Sequence, residues 1–452
     1  MENTRRYPVG IQTFERIRKE GYVYIDKTDL VWKATRESPF VFLSRPRRFG
    51  KSLLSTTFDA YFKGQKELFE GLKIMDLETE WNSYPVIHLD VSWAKNKISA
   101  KELERSLLFM LRPITEVYGC DEKAVTPGEV LSNLIRRAYT QTGKQVAVII
   151  DEYDAPLLDV LHEEAMLPEF RRVMQEFYQP LKASEAMIRF CFITGITKFS
   201  QLSIFSTINN LTLISMDSKY AAICGITQQE LETDMAPDIA MLAKEYDCST
   251  KEMRLKLKQQ YDGYRFADVS PDIYNPFSLM NAFYNNDFGS YWFATGTPTF
   301  LTKIMLNSNF DYSSLENGIE VGMRSLENYR LTSTEPLPML YQTGYITIKS
   351  YDSEFRSFIL GVPNEEVKYG LYERLLPLYA GYEEKTDNIE VLNFLRELRA
   401  GKVNEFMERI NNIFLSAPKQ TNQKQYELNC QAFIWLIFKL MGEFVLCEVQ
   451  NG

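Results

Sequence analysis

Residues 39–54 read PFVFLSRPRRFGKSLL. The first six residues are mostly apolar and have the length of a buried strand. A basic turn that contains proline and glycine follows them, and Leu53 and Leu54 begin a helical pattern. The segment therefore predicts a strand, a loop and a helix, in that order.

The loop carries the residue types that bind phosphate at the start of a helix. Such a loop needs converging backbone N–H groups, a lysine that neutralises phosphate charge and a hydroxyl that binds Mg²⁺. The usual motif begins with glycine, but here an arginine stands at that position, so a basic loop without a ligand is the alternative. The predicted nucleotide-binding residues are Arg45, Pro46, Phe49, Gly50, Lys51 and Ser52.

A second motif lies 100 residues after the lysine, where residues 146–152 read VAVIIDE. This is an apolar strand with two carboxylates at its carboxyl end, the edge at which ligands of open α/β sheets bind. We expect Asp151, with Ser52, to hold Mg²⁺, and Glu152 to polarise the attacking water. The alternative is a strand that ends in a solvated acidic turn. The role of Asp154 is more ambiguous, and one interpretation is that it caps the following helix.

Further candidates for the chemistry are a hydroxyl and several arginines. Thr194 ends an apolar run and could sense the γ-phosphate, although a threonine at a strand end is common without any function. Arg47, Arg48 and Arg265 are candidates for the positive charge that stabilises phosphoryl transfer, and spacing does not choose among them. The predicted catalytic residues are Glu152, Thr194, Arg47 and Arg48.

Strand-like and helix-like segments alternate along the first half of the chain. Apolar runs with the length of buried strands also lie at 86–91, 145–150, 188–194 and 211–216. Helical segments are expected near 100–118, 127–141 and 163–185. This alternation predicts an α/β fold, a parallel sheet flanked by helices.

The character of the sequence changes near residue 235. We predict a P-loop ATPase-like domain over 1–235 and a mostly helical region over 236–415. Two β-rich runs within 339–362 predict a hairpin like the wing of a winged helix. A helix near 425–441 and a strand after residue 443 are interpreted as the incomplete start of a third unit over 425–452.

Composition limits the classes of partner. The net charge of −9 disfavours a general attraction to nucleic acid. The six cysteines are scattered without a CxxC pair, which fits a reducing cytosol better than a disulfide framework or a zinc site. No stretch reaches the roughly 18 apolar residues of a membrane span, and the N-terminus has no signal core. We expect a cytoplasmic protein with no membrane partner.

The chain resembles the bacterial AAA-ATPase-like family, which is related to archaeal and STAND-type ATPases. The matching motifs are PVGIQTF (8–14), YIDKT (24–28), RPRRFGKSL (45–53), DEYD (151–154), YDGYRF (261–266), YNPFS (274–278) and LYQTGY (340–345). An arginine-rich loop without a leading glycine is normal in that family. The resemblance implies ATP and Mg²⁺ as ligands, whereas the residues alone do not separate ATP from GTP.

Members of that family usually carry a C-terminal PD-(D/E)XK nuclease domain. Glu427 matches the glutamate of its first helix, and residues 444–449 resemble its first strand. The sequence reaches Gly452 without the metal-binding aspartate and the catalytic lysine of that domain. We therefore expect no nuclease activity from this chain.

Three functions stay open on the sequence. The first is Mg²⁺-dependent ATP binding and hydrolysis that controls the conformation of the C-terminal modules. The second is a nucleotide-binding signalling or scaffold protein without turnover. The third is a DNA-associated remodelling or defence protein whose nuclease part is missing, with a DNA or protein partner at the C-terminal region. An oligomer is compatible with all three.

Overall fold

The computed structural model describes residues 5–161, 163, 165–198, 211–294, 301, 310, 312–322, 326, 336–379, 391–416 and 423–442. The chain divides into two units: residues 1–310 with 318–364, and residues 311–317 with 365–452. The two units are defined by the density of contacts within each of them. The domain limits near 235 and 415 stay predictions.

A five-stranded parallel sheet forms the centre of the larger unit. Its strands are β1 (Phe40–Ser44), β2 (Val86–Asp90), β3 (Val146–Asp151), β4 (Ile188–Gly195) and β5 (Thr212–Leu213). Their order is β2-β3-β4-β1-β5, and every pair is parallel. All residues of β3 are buried, as expected for a strand covered on both faces. The predicted α/β fold is confirmed.

The register of the sheet brings several strand ends to one edge. Ser44 at the end of β1 lies beside Gly195 at the end of β4. On the other side, Asp90 at the end of β2 lies beside Asp151 at the end of β3. Because β4 separates β1 from β3, its last residues lie between the predicted phosphate loop and the predicted acidic turn.

Helices flank this sheet and continue along the rest of the larger unit. Those described are α1 (Phe14–Lys19), α2 (Thr28–Glu37), α3 (Lys51–Phe62), α4 (Ala100–Tyr118), α5 (Pro127–Thr142), α6 (Ala155–Asp159), α7 (Met166–Ala183), α8 (Gln228–Asp234), α9 (Ala236–Glu245), α10 (Thr250–Tyr261), α11 (Pro276–Asn285), α12 (Tyr291–Ala294) and α13 (Leu337–Thr343). The three predicted helices of the first half correspond to α4, α5 and α7. Local signals set their limits: Thr126 and Glu129 form a capping box at the start of α5.

The predicted hairpin is present, but the prediction that its first strand begins at residue 339 was wrong. The run that begins at Met339 is helical up to Thr343, and only then does β9 (Thr347–Asp352) begin. Prolines at the start of α13 and Gly344 in a left-handed conformation at its end favour a short helix there. β9 pairs with β10 (Ser357–Gly361), and β8 (Ile319–Gly322) adds a third antiparallel strand. The likeness to a winged helix stays a prediction.

A second apolar core lies in the larger unit away from the sheet. It joins α8 to α11 with the N-terminal residues Tyr7 and Ile25. The short strands β6 (Ile226–Thr227) and β7 (Ile273–Tyr274) pair antiparallel beside it. The N-terminal segment is therefore packed against elements more than 200 residues downstream.

The smaller unit is helical where it is described. Its helices are α14 (Glu365–Tyr379), α15 (Val391–Arg399), α16 (Val403–Ser416) and α17 (Gln423–Leu440). Aromatic pairs join them, such as Tyr372 with Trp435 at a centroid distance of 5.2 Å. The predicted strand after residue 443 and the side chain of Glu427 lie outside the described residues.

Among the helices that the structure describes, none has both the length and the apolar composition needed to span a membrane.

Candidate functional site

The predicted phosphate loop connects β1 to α3. Two of its residues, Arg48 at φ 66° and Gly50 at φ 90°, have left-handed backbone conformations. Gly50 occupies the N-cap position of α3 and has no side chain to accept hydrogen bonds from the first turn. The N–H groups of that turn are therefore open to an anion, which the helix dipole also favours.

Lys51 and Ser52 begin this helix. Lys51 is 4% exposed, and its ammonium group donates to the carbonyl oxygen of Pro46 at 3.1 Å. The side chain thus folds back over the loop. The hydroxyl of Ser52 is close enough to the carboxylate of Asp151 to oppose the effect of burial on its pKa, so the loop and the acidic strand meet near these two side chains.

Glu152 follows β3 with a left-handed backbone conformation, at φ 53°. Its N–H donates to Oδ1 of Asp151 at 2.9 Å, and its carboxylate lies 3.6 Å from Nζ of Lys95. Burial alone would raise the pKa of Glu152, but the charges of Lys51 and Lys95 outweigh burial and hold the pKa below its ordinary value. The charge of Arg47 acts in the same direction. Glu152 is therefore ionised at neutral pH.

The pKa of Asp151 is shifted in the opposite direction from that of its neighbour Glu152. It is 4% exposed, and burial raises its pKa above the ordinary value, while the hydroxyl of Ser52 and the charge of Lys51 only partly offset this. A bound cation would favour the ionised form. The hydroxyl and carboxylate oxygens of Ser52 and Asp151 are the ligands that suit Mg²⁺, which keeps several of its waters. The pair fits a magnesium site of the P-loop kind.

Thr194 is fully buried near the end of β4. Its hydroxyl donates to the carbonyl oxygen of Leu43 in β1 at 2.7 Å, and its own carbonyl accepts the N–H of Tyr153 at 3.1 Å. The side chain therefore joins two strands beside the loop. Its role as a γ-phosphate sensor stays a prediction.

Arg45, at the position of the usual first glycine, supports the loop from the protein interior. It is 2% exposed, and Nη1 donates to the carbonyl oxygens of Ser44 and Ser215 at 3.0 and 2.7 Å. Nη2 donates to the carbonyl oxygen of Tyr220 at 3.2 Å, and the guanidinium lies 4.1 Å from the ring centroid of Phe266. Burial lowers the pKa of Arg45 to about 10. The structure places this side chain on backbone carbonyls rather than towards the start of α3.

Arg47 and Arg48 lie on the loop itself. Arg47 is partly buried, and its carbonyl oxygen accepts the indole N–H of Trp292 at 3.2 Å. Arg48 is exposed, with its guanidinium 4.8 Å from the ring centroid of Phe277. Both remain candidates for charge stabilisation.

The side chain of Arg265 is bonded to residues outside the loop, although the residues on either side of it pack against Phe49. Its guanidinium donates to Asp272 and to the carbonyl oxygen of Lys349, both at 3.0 Å. These bonds tie Arg265 to β9, so the structure does not bring it together with the other candidates.

The apolar residues of the loop pack against two of the sequence motifs of the second half. Phe49 is fully buried, and its ring lies edge-on to Tyr264 and Phe266 at centroid distances of 4.7 and 5.3 Å. Pro46 meets Gly344, where an added Cβ would lie 2.7 Å from Cβ of Pro46. The buried side chain of Phe49 therefore anchors the loop in the apolar core.

A cavity of about 240 Å³ adjoins the loop. Its walls come from residues 8–12, loop residues 48–50, residues 223–226 and the first two turns of α11. Most of these side chains are apolar, and the polar ones include Gln12, Lys27, Arg48, Thr57 and Asn281. The family motifs PVGIQTF and YNPFS therefore line one cavity, although they are far apart in sequence.

Two charged residues of the site are absent from the predicted set. Lys95 faces Glu152. The sequence could have indicated Lys95 through its position shortly after β2, because the carboxyl ends of parallel strands meet at the same edge of a sheet. The interpretation of Asp154 as a cap of α6 was wrong: its side chain makes no capping bond and accepts instead from Ile196 and Thr197.

Comparison with known proteins finds a family, a relative and a solved structure to which this chain is similar. Residues 8–205 match a family described as "Predicted AAA-ATPase". A protein of Azotobacter chroococcum mcd 1, described as an "Uncharacterized protein in vnfD 5'region", is 34% identical over 380 residues, which cover 83% of this chain and 70% of the relative. A Walker-type ATPase of Pyrococcus abyssi has 13% sequence identity and a TM-score of 0.38, over 82% of this chain and 99% of that structure.

Proposed function

Because this chain belongs to the predicted AAA-ATPase family, we propose that it binds ATP with Mg²⁺ at the carboxyl edge of its sheet and hydrolyses the γ-phosphate. The observation that carries the proposal is the proximity of Lys51 and Ser52 on the loop to Asp151 and Glu152 on the acidic strand, where the loop residues oppose the effect of burial on the pKa values of both carboxylates. A solvated acidic turn or a basic surface loop would not bring these groups together.

The loop binds the phosphates. N–H groups at the start of α3 donate to phosphate oxygens, and Lys51 exchanges its bond to Pro46 for the β- and γ-phosphates. Ser52 and Asp151 would hold Mg²⁺, which neutralises charge on the phosphates.

Glu152 activates the attacking water. Its lowered pKa keeps it ionised, as a group that accepts a proton or orients a water molecule must be. Lys95 limits the directions in which the carboxylate can point, because it forms an ion pair with one of its oxygens. Arg47 and Arg48 supply positive charge during transfer, whereas Arg45 acts as a support of the loop.

The cavity beside the loop receives the base and ribose of the nucleotide. It adjoins Gly50 and the first turns of α3, where the phosphates bind, and its apolar walls suit the faces of a planar base. Gln12 and Asn281 are the groups that could recognise the edge of that base.

The loop also offers a route for conformational control. Pro46 and Phe49 pack against α13 and the 264–266 segment, so a loop that moves on nucleotide binding displaces those elements. We propose that this contact transmits the nucleotide state towards the three-stranded sheet.

The test is Mg·ATP binding by calorimetry followed by phosphate release from the same samples. Lys51→Ala is expected to abolish binding, and Glu152→Gln is expected to bind ATP while phosphate release stops. Lys63→Ala is the matched control, because Lys63 follows the other end of α3 and forms an ion pair with Asp59. Binding that survives Lys51→Ala would refute the proposed site. Binding without phosphate release in the wild type would leave a nucleotide-binding protein without turnover.

A further inference from the structure

Asp154 is a fully buried carboxylate close to the proposed reaction site. Oδ2 accepts the N–H of Ile196 at 3.1 Å and both the N–H and the hydroxyl of Thr197 at 2.7 Å. All of these donors belong to the turn that follows β4. The carboxylate therefore joins the turn after β3 to the turn after β4.

Tyr153 makes the same connection with other atoms. Its N–H donates to the carbonyl oxygen of Thr194 at 3.1 Å, and its hydroxyl donates to the carbonyl oxygen of Thr197 at 2.8 Å. We call Tyr153, Asp154, Thr194, Ile196 and Thr197 the turn clamp. Its bonds are buried, where unmade hydrogen bonds are costly, so the clamp holds the two turns in one arrangement.

Gly195 shows how closely the clamp is packed. A Cβ added there would lie 2.4 Å from Oδ1 of Asp154 and 2.6 Å from Cδ1 of Tyr153. Only glycine leaves room for both side chains at this place. The turn clamp therefore requires glycine as the last residue of β4.

Glu152 immediately precedes the clamp and has a left-handed backbone. That conformation is unfavourable for a residue with a Cβ and persists only where the surroundings enforce it. On one side, Glu152 is bonded to Asp151 through its N–H, and on the other side it is followed by the clamped residues Tyr153 and Asp154.

We propose that Asp154 is a positioning residue that holds Glu152 in place for water activation by fixing the acidic turn against the end of β4. The inference rests on the proposed hydrolysis. Burial, together with the charge of Glu152, raises the pKa of Asp154 to about 6, so at neutral pH the group is mainly the carboxylate that its three donors require.

The experiment compares Asp154→Asn, Thr197→Val and the double variant with the wild type. Calorimetry gives the Kd for Mg·ATP, and a single-turnover assay gives the rate of phosphate release. We expect the Kd to change by less than about 3-fold, because Lys51 and Ser52 are intact. We expect the rate to fall by about 10- to 100-fold, because a small displacement of a catalytic group is costly. The double variant should lose little more than either single one, since both break the same contact.

Thr197→Ser and Glu78→Gln are the controls. Thr197→Ser keeps the hydroxyl that donates to Asp154 and should restore most of the rate lost in Thr197→Val. Glu78 is a buried carboxylate, 5% exposed, that accepts from Tyr61 and Arg36 elsewhere in the larger unit. Glu78→Gln should lower the thermal midpoint without changing the rate. If Asp154→Asn does not fold, the Thr197 pair still decides the question.

Three outcomes would overturn the inference. A wild-type rate in Asp154→Asn or Thr197→Val would show that the clamp does not position Glu152. A parallel loss of binding and rate would indicate a general structural role. Binding without hydrolysis in the wild type would remove the reaction that Asp154 is proposed to support, whereas absent binding in the wild type would refute the proposed function itself.

Discussion

Nη1 of Arg45 lies 2.7 Å from the carbonyl oxygen of Ser215, and the two residues are 170 positions apart in sequence. Through this bond and the one to Tyr220, the first residue of the phosphate loop holds the segment that follows β5. That segment continues into residues 223–226, which form one wall of the cavity. An arginine at this position therefore joins the proposed phosphate site to the proposed base site.

Arg45→Met should destabilise the protein more than a change elsewhere on the loop. It removes the donor to the buried carbonyl oxygen of Ser215 and leaves that of Tyr220 with only the N–H of Ile223, which costs about 1–3 kcal/mol. Arg48→Met is the control, because the exposed Arg48 should change stability by less than about 0.5 kcal/mol. Urea unfolding measures both. Equal midpoints for the two variants would contradict the supporting role of Arg45.

Gly344→Ala tests the contact between α13 and the loop. The new Cβ would lie 2.7 Å from Cβ of Pro46, whose carbonyl oxygen accepts from Lys51. We expect the Kd for Mg·ATP to rise by about 3- to 10-fold as Pro46 is displaced, equivalent to about 1 kcal/mol. Calorimetry measures the change.

Gly143→Ala is the matched control for that variant. Gly143 also has a positive φ, but its added Cβ would meet nothing within 4 Å. Both variants therefore carry the backbone cost of a left-handed alanine, and only Gly344→Ala crowds the loop. Equal effects of the two variants on nucleotide affinity would refute the contact as a route of coupling.

The sequence predicted those parts of the fold and the site that depend on neighbouring residues. Strand, loop and helix around Lys51 follow from one continuous segment, and Asp151 follows from the apolar strand that ends at it. The parallel sheet follows from the alternation of such segments. These features were predictable because their signals are local in the chain.

Other features depend on partners that are distant in sequence. The partners of Arg45 lie 170 and 175 residues away. The sequence near Arg45 does not reveal them, and an arginine in a basic loop was therefore interpreted as a phosphate-binding residue. The bonds of Asp154 depend on the order of the strands, which places β4 beside β3. The segment 339–343 has an apolar composition that fits either a strand or a helix, and burial of Met339 and Leu340 accompanies the helix.

Met280→Trp tests whether the cavity binds the base. Met280 lines the cavity from α11, and an indole in its place would fill part of the space of about 240 Å³. We expect the affinity for Mg·ATP to fall by at least about 10-fold, while the affinity for inorganic tripolyphosphate stays within about 2-fold, because the latter needs only the loop. Calorimetry with the two ligands separates these contributions.

Met407→Trp is the control for a large aromatic side chain, because Met407 is 52% exposed on α16. It should leave both affinities unchanged. A parallel loss of ATP and tripolyphosphate binding in Met280→Trp would mean that the substitution distorts the loop, and the base would have to bind elsewhere.

Lys95→Met should shift the pH dependence of hydrolysis. Lys95 is one of the charges that hold the pKa of Glu152 below its ordinary value against the opposing effect of burial. Hydrolysis needs ionised Glu152, so a second, more acidic fall in rate lies at the pKa of Glu152, below the fall that protonation of Asp154 causes near pH 6. Removing Lys95 raises the pKa of Glu152, and this second fall should therefore begin at a higher pH than in the wild type. Single-turnover rates across the acid range measure the shift.

Lys97→Met is the matched control, since Lys97 is two residues away and the charges that lower the pKa of Glu152 are those of Lys51, Lys95 and Arg47. Its acid limb should coincide with that of the wild type. If the Lys95→Met limb also coincides, or moves to lower pH, then the water-activating carboxylate is not the one beside Lys95. The assignment of Glu152 as the group that titrates in hydrolysis would then fail, even if the Kd for Mg·ATP is unchanged.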